Sequence, residues 1–366
     1  MPVGVSGTQH PWPMVSSTGK EDPVKRKRDK VRIGITMGDP AGIGPEIILK
    51  ALAQQAIYRQ AIPIVIGDGN ILERAKGYVG SRLRLRRIGS AGEATGRFRE
   101  VAVLDLKNID LEQCPPGILS AEAGRAAVEY VFRAIDLARA DEVDAVVTAP
   151  INKEAMHRAG YPFAGHTEIF AERTGSRSYA LMLVAGKLRV LHVSTHVSLR
   201  EACDRVRKDR VLQVICLVHE AAAAWGLRRP RIAVAGLNPH AGEQGIFGHE
   251  EREEIAPAVA AARAEGIDAV GPLPPDTLFY RALKGEFDFV VAMYHDQGHI
   301  PVKLRSFDRA VNVTVGLPII RTSVDHGTAF DIAGKGTASP RSLVEALRLA
   351  IRMARHRGTL PSLPSR

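Results

Sequence analysis

Cysteine is scarce: only Cys114, Cys203 and Cys216 occur in 366 residues, an odd number without C-x-x-C spacing, which excludes a disulfide framework and a cysteine-built zinc site. No uninterrupted apolar run is long enough to span a bilayer, and the start lacks the apolar core of a signal peptide, so the sequence reads as cytoplasmic. Aromatic residues make up 5%, too few to build the base-stacking platform of a single-strand nucleic-acid binder. Neither the dinucleotide fingerprint G-x-G-x-x-G nor a P-loop ending in GK[ST] is present, and no closely spaced ligand motif such as H-E-x-x-H occurs. There is no internal repeat.

What is present is enough hydrophobic residue (45%) for one large domain or two of ordinary size. The formal charge is +10, part of it concentrated in Lys25-Arg26-Lys27-Arg28 and Lys30. Residues 1–30 are rich in Pro, Gly and Ser and lack any period, so they are expected to form a disordered basic tail. A nucleic-acid role for the KRKR run is the alternative to a solvated tail.

From Val31 the chain alternates short strand-like and longer helix-like segments, which predicts an α/β fold with a largely parallel sheet. VRIGIT, Ile62–Gly67, Val101–Leu104 and Val143–Thr148 read as strands, and Ala121 to about Ala140 as a long helix capped by Ser120. The glycine-rich Met37–Glu46 turn feeds a helix, so it is either a backbone cradle for an anion or a tight connection without ligand.

Three apolar strands end in histidine: LRVLHVSTH at His196, RIAVAGLNPH at His240, and the run from Phe287 to Met293 just before His295. In a parallel sheet these carboxyl ends share one rim, where ligands of open α/β sheets bind. Three neutral imidazoles converging there would make a divalent-metal site with open positions, so His196, His240 and His295 are candidate ligands; singly, each reads as an ordinary polar strand end.

Gly165-His166-Thr167-Glu168 opens a helix and suits an oxyanion, unless Thr167 is simply its cap. Further on, Lys303, Asn312 and Arg321 supply the cationic and amide donors that a phosphate or carboxylate needs. Gly271–Thr277 (GPLPPDT) reads as a rigid loop carrying Asp276 into a helix.

ITMGDPAGIGPEI, GHTE, HVSTH, GLNPHAGE, GPLPPDT, YHDQGHIPVK and GLPIIRTSVDHGTAFDIAGKG occur in this order, and over about Val31 to Ala350 the chain resembles the 4-hydroxythreonine-4-phosphate dehydrogenase family. The segments TAPINKE and DQGHIPVKL resemble its branch acting on 4-phospho-D-threonate or 4-phospho-D-erythronate. The resemblance implies a two-domain α/β fold like that of the isocitrate and isopropylmalate dehydrogenases. Residues 31–155 with 318–366 would form one domain, and 156–317 a second carrying the metal ligands and the contacts of a homodimer whose active site lies at the interface. It implies substrate contacts from His166, Thr167, Lys303, Asn312 and Arg321, and metal ligation by His196, His240 and His295. NAD would lie along Asp325, His326, Gly327, Asp331, Gly334 and Gly336. Imidazole ligands favour zinc over the magnesium of the aspartate-based relatives, with magnesium or cobalt as alternatives. The implied reaction is NAD-dependent oxidation at C3 of a 4-phosphorylated hydroxy acid followed by decarboxylation. Lys153 and Asp276 are candidates for proton transfer by position. The rival within the family is an aromatic cis-diol carboxylate dehydrogenase.

Overall fold

The computed structural model describes residues 30–357. The tail expected over residues 1–30 therefore lies, apart from Lys30, outside the described residues. The strands are β1 (Val31–Thr36), β2 (Ala61–Gly67), β3 (Arg84–Ile88), β4 (Glu100–Asp105), β5 (Ala145–Thr148), β6 (Ala180–Ala185), β7 (Leu188–His192), β8 (Ile232–Ala235), β9 (Ala269–Leu273), β10 (Phe289–Ala292), β11 (Val311–Val315) and β12 (Arg321–Val324). They form one 12-stranded sheet in the order β3-β4-β2-β1-β5-β12-β11-β6-β7-β10-β8-β9. The α/β class and the largely parallel sheet expected from the alternation are present.

β1–β5 and β12 fill one half of the sheet with parallel pairings, and β7, β10, β8 and β9 are parallel in the other. Between them the pairings β12–β11, β11–β6 and β6–β7 are antiparallel. Three reversals make the two parallel blocks run in opposite senses. The site sits at this change of direction.

Central strands are covered on both faces, so they read as continuous apolar runs and bury them: Ile33, Ile35, Val146 and Val147 are fully enclosed. Each such side chain contributes roughly 1.5–3 kcal/mol of burial. The helix Ala121–Arg139 starts where expected, because the Ser120 hydroxyl accepts from the Ala123 N–H at 3.1 Å. At Gly124 a Cβ would stand 2.1 Å from the Ala155 carbonyl oxygen, so this helix and the helix Lys153–Arg158 meet backbone to backbone. That close approach places Lys153.

Two local expectations change. The strand expected to run on to His196 stops at His192, and the apolar run Phe287–Met293 contains a four-residue strand followed at once by the helix His295–Arg305. The helix includes Gly298 and Pro301, both of which argue locally against it. Gly298 is required by packing: a Cβ there would lie 2.3 Å from His192 Nε2.

Candidate active site

In the Met37–Glu46 turn the donors between Asp39 and Ile43 are used within the protein, as in a tight connection. Asp39 N–H donates to the Pro150 carbonyl, Gly42 N–H to that of Asp39, Ile43 N–H to that of Thr328, and Ala41 N–H to Asp39 Oδ1. Burial pushes the Asp39 carboxyl up to about 6 against the opposing Ala41 hydrogen bond. Farther along, Glu46 accepts from Gly334 N–H at 2.6 Å, and Lys50 donates to the Gly336 and Ala338 carbonyls at 2.7 and 2.6 Å. The turn and its helix thus hold the 326–338 loop.

A cavity opens over the antiparallel centre of the sheet. Of the residues singled out above, Lys153, His166, Thr167, His196, His295, Lys303, Asn312, Arg321, Asp325, His326 and Gly327 line it. His240, Asp276, Asp331, Gly334 and Gly336 are not among its lining residues.

One end is cationic. Arg321 is 3% exposed, and it is hydrogen-bonded to neutral hydroxyls: Nη1 donates to Thr314 Oγ1 at 3.1 Å and Nη2 to Thr148 Oγ1 at 2.8 Å. Its Nε is buried without a partner. Burial pulls the Arg321 pKa down to about 9, only partly opposed by Glu168. Burial, and then the neighbouring Arg321 charge, hold His166 well below its usual pKa, and His166 Nε2 is another buried atom without a partner. Thr167 does not cap its helix, whose N-cap is Gly165; its hydroxyl stands 3.4 Å from that of Thr314. Lys303 is paired with the Asp325 carboxylate, which also accepts from Asn312 Nδ2 at 3.2 Å. Asp325 therefore belongs by its contacts to the cationic end.

The other end is a cluster of imidazoles. β7, β10 and β8 are parallel neighbours, so His196, His295 and His240 do follow strand ends on one rim. The His196 and His295 ring centroids are 5.9 Å apart. His196 is held below its usual pKa by burial, then by Lys153 and His295, with Glu168 opposing. His295 Nδ1 meets Asp296 Oδ1 at 2.6 Å; facing a carboxylate it donates, leaving Nε2 as a free lone pair. This donor chemistry fits a borderline divalent cation at two positions.

His240 is exposed and is not among the residues lining the cavity. It sits in a run from His240 to Gln244 with positive φ throughout, and its ring lies 6.3 Å from that of Phe247. Such a left-handed run, non-glycine at every position but Gly242, persists only when the surroundings over-determine it. Here buried Glu251 accepts from the Leu237 and Asn238 N–H groups and from Asn238 Nδ2, while Gln297 bridges the Met293 N–H and the Gly236 carbonyl. Among the described residues, no three His, Cys, Asp or Glu side chains of the chain are grouped to hold a metal.

Two further histidines went unnoticed in the sequence. His192, buried at the end of β7, stands 3.1 Å from His299 Nδ1, and the His299 ring is stacked on His295 with centroids 3.6 Å apart. Burial, followed by the neighbouring imidazole, pulls His192 down to about 3; burial and then His295 pull His299 down to about 4. The available signal was spacing: His295, His299 and Lys303 lie at i, i+4 and i+8 on one helix face.

Fold and cavity define an α/β protein with a buried cationic pocket beside a rim of imidazoles. The family described as pyridoxal phosphate biosynthetic protein PdxA matches residues 59–350, and the chain belongs to that family. It is 54% identical over 326 residues to a D-threonate 4-phosphate dehydrogenase of Cupriavidus necator, covering 89% of this chain and 98% of that protein. A 4-hydroxythreonine-4-phosphate dehydrogenase structure from Klebsiella pneumoniae is 47% identical with TM-score 0.84, over 89% and 98% of the two chains. A terephthalate 1,2-cis-dihydrodiol dehydrogenase from Burkholderia xenovorans is 33% identical with TM-score 0.64, over 88% and 98%. Among the described residues no helix is long and apolar enough to cross a membrane.

Proposed function

We propose that this protein is an NAD- and divalent-metal-dependent dehydrogenase that oxidises C3 of a 4-phosphorylated hydroxy acid, 4-phospho-D-threonate first among the candidates, with decarboxylation of the resulting 3-keto acid. The observation that carries the reading is Arg321: a guanidinium enclosed in the sheet, bonded to two threonine hydroxyls, is a buried charge still needing an anion. A phosphate supplies that charge and enough oxygens for Arg321, His166, Thr167, Asn312 and Lys303 together. The number of donors gathered here, more than the two oxygens of one carboxylate readily take up, favours the phosphate over a cis-diol carboxylate. The relatives named for D-threonate 4-phosphate support the choice of acid.

With the phosphate fixed at Arg321, the reacting carbon is oriented toward His196 and His295, and binding energy from the remote group holds it there. A divalent cation bound by these imidazoles, zinc before magnesium or cobalt, would polarise the C3 hydroxyl and later the keto oxygen, while NAD along Asp325–Gly336 would accept the hydride. Lys153, at the first turn of its helix in the cavity wall, is better placed than exposed Asp276 to move a proton.

The third ligand in this reading is the partner subunit's copy of the exposed His240. Exposed Ile246 and Phe247 beside His240, and Ile300, Leu304 and Phe307 on or just beyond the helix bearing His295, support a homodimer with shared sites. The two lobes would be residues 31–155 with 318–366, of which 358–366 lie outside the described residues, and residues 156–317. The test is NADH formation with 4-phospho-D-threonate, 4-phospho-D-erythronate and 4-phosphohydroxy-L-threonine, metal supplied; activity on the first is expected, and silence on all three sinks the reading.

A further inference from the structure

The buried histidine pair beneath His295 has a defined hydrogen-bond direction. His192 Nδ1 faces the Leu181 carbonyl at 3.3 Å, so it carries the proton and Nε2 is the acceptor. His299 Nδ1 faces both that Nε2 and the His295 carbonyl, each at 3.1 Å, and two acceptors require it to be the donor. The hydrogen bonds that orient His299 thus run through Nδ1, and its Nε2 is left as an acceptor. Sheet register fixes the anchor: Leu181 pairs with Thr314, which pairs with Arg321, so the chain of bonds starts on the same cross-sheet row as the guanidinium.

His299 lines the cavity one helical turn from both His295 and Lys303, about 6 Å along the axis in each direction. That is the wall between the carbon to be oxidised and the anion end. Its charge environment is positive: Lys153, Arg210, Lys303 and Arg321 line the cavity against Glu168 and Asp325, and Asp325 is already paired with Lys303. A neutral hydroxyl donates to a single acceptor without adding charge. An ammonium carries three donors and one more positive charge and would ask for carboxylates.

We propose that His299 accepts a hydrogen bond from the 2-hydroxyl of the substrate, with His192 as the positioning residue behind it, so that the site selects 2-hydroxy over 2-amino acids of the 4-phosphorylated four-carbon class. This rests on the dehydrogenase reading above.

The experiment compares kcat/KM for 4-phospho-D-threonate, its 2-deoxy analogue and 4-phosphohydroxy-L-threonine in wild type, His299→Leu, His299→Gln and His192→Phe. Wild type should prefer the 2-hydroxy acid. His299→Leu should lose roughly ten- to a hundredfold on it while changing the 2-deoxy analogue by less than about twofold, the signature of one lost substrate hydrogen bond. His299→Gln, which retains an acceptor, should keep part of the preference. His192→Phe should erode the same ratio rather than activity on all substrates alike. Equal losses on the 2-hydroxy and 2-deoxy acids, or an unmoved ratio in all three variants, overturns the assignment while leaving the dehydrogenase intact. A wild type inert toward every acid overturns the dehydrogenase reading and this inference with it.

Discussion

The two ends of the cavity are built differently. The cationic end is embedded in the sheet: Arg321, Thr314 and Thr148 are buried strand residues on β12, β11 and β5, held by ladder register. The imidazole end is carried beyond strand ends by a helix start and loops, where backbone direction is set by side-chain staples such as Gln297 and Glu251. It brings together His196 and His295 and leaves His240 facing outward. Recognition of a fixed anion suits a rigid sheet, whereas an end built on loops can be finished by a second copy.

The largest effect separating the two ends should come from His196→Ala. Turnover should fall by more than roughly a hundredfold, exceeding the usual cost of an outer-partner change, with metal retention reduced and thermal unfolding little altered. Stoichiometric metal in the purified variant would move His196 out of the ligand set. Arg321→Lys tests the other end: the charge stays but the planar fork is lost, so KM for the phosphorylated acid should rise roughly ten- to a hundredfold with NAD affinity nearly constant. An unchanged KM would detach Arg321 from the substrate.

Sharing can be tested by mixing. His196→Ala and His240→Ala subunits, each inactive alone, should recover about a quarter of wild-type activity at random pairing, because half the dimers hold one site with all ligands. No recovery after verified subunit exchange would confine each site to one chain. The smallest effect lies at neither end. Asp39 has a folded pKa of about 6 against an ordinary 3.8, so the folded state binds the extra proton; its stabilising share is full below 3.8 and is lost as pH rises through 6. Asp39→Asn should therefore raise stability at pH 8 by at most about 3 kcal/mol and change little near pH 4, measured as the shift in Tm at each pH. A variant less stable at pH 8 would show that the carboxylate has a partner in the folded state.

Much of the fold was legible because local and global preferences agree: the apolar runs that cannot be solvated became β1, β2, β4, β5, β8 and β10, and Ser120 capped its helix. The helix His295–Arg305 was not legible, since Gly298 and Pro301 oppose it locally and only the approach of His192 explains the glycine. The donors of the Met37–Glu46 turn looked free in sequence and are spent on Pro150 and Thr328, residues far along the chain.

By itself the sequence determined the α/β class, the family, and three histidines following parallel strand ends, because strand period and apolar runs are set by neighbours in the chain. Only the tertiary structure decided that Arg321 is buried and bonded to two threonine hydroxyls, that Asp325 pairs with Lys303 and Asn312, and that His192 and His299 form a directed pair under His295. These depend on the antiparallel register of β6, β11 and β12 and on the helix packed over β7; β6 meets β11, and His192 meets His299, across more than a hundred residues, partners that no local pattern encodes.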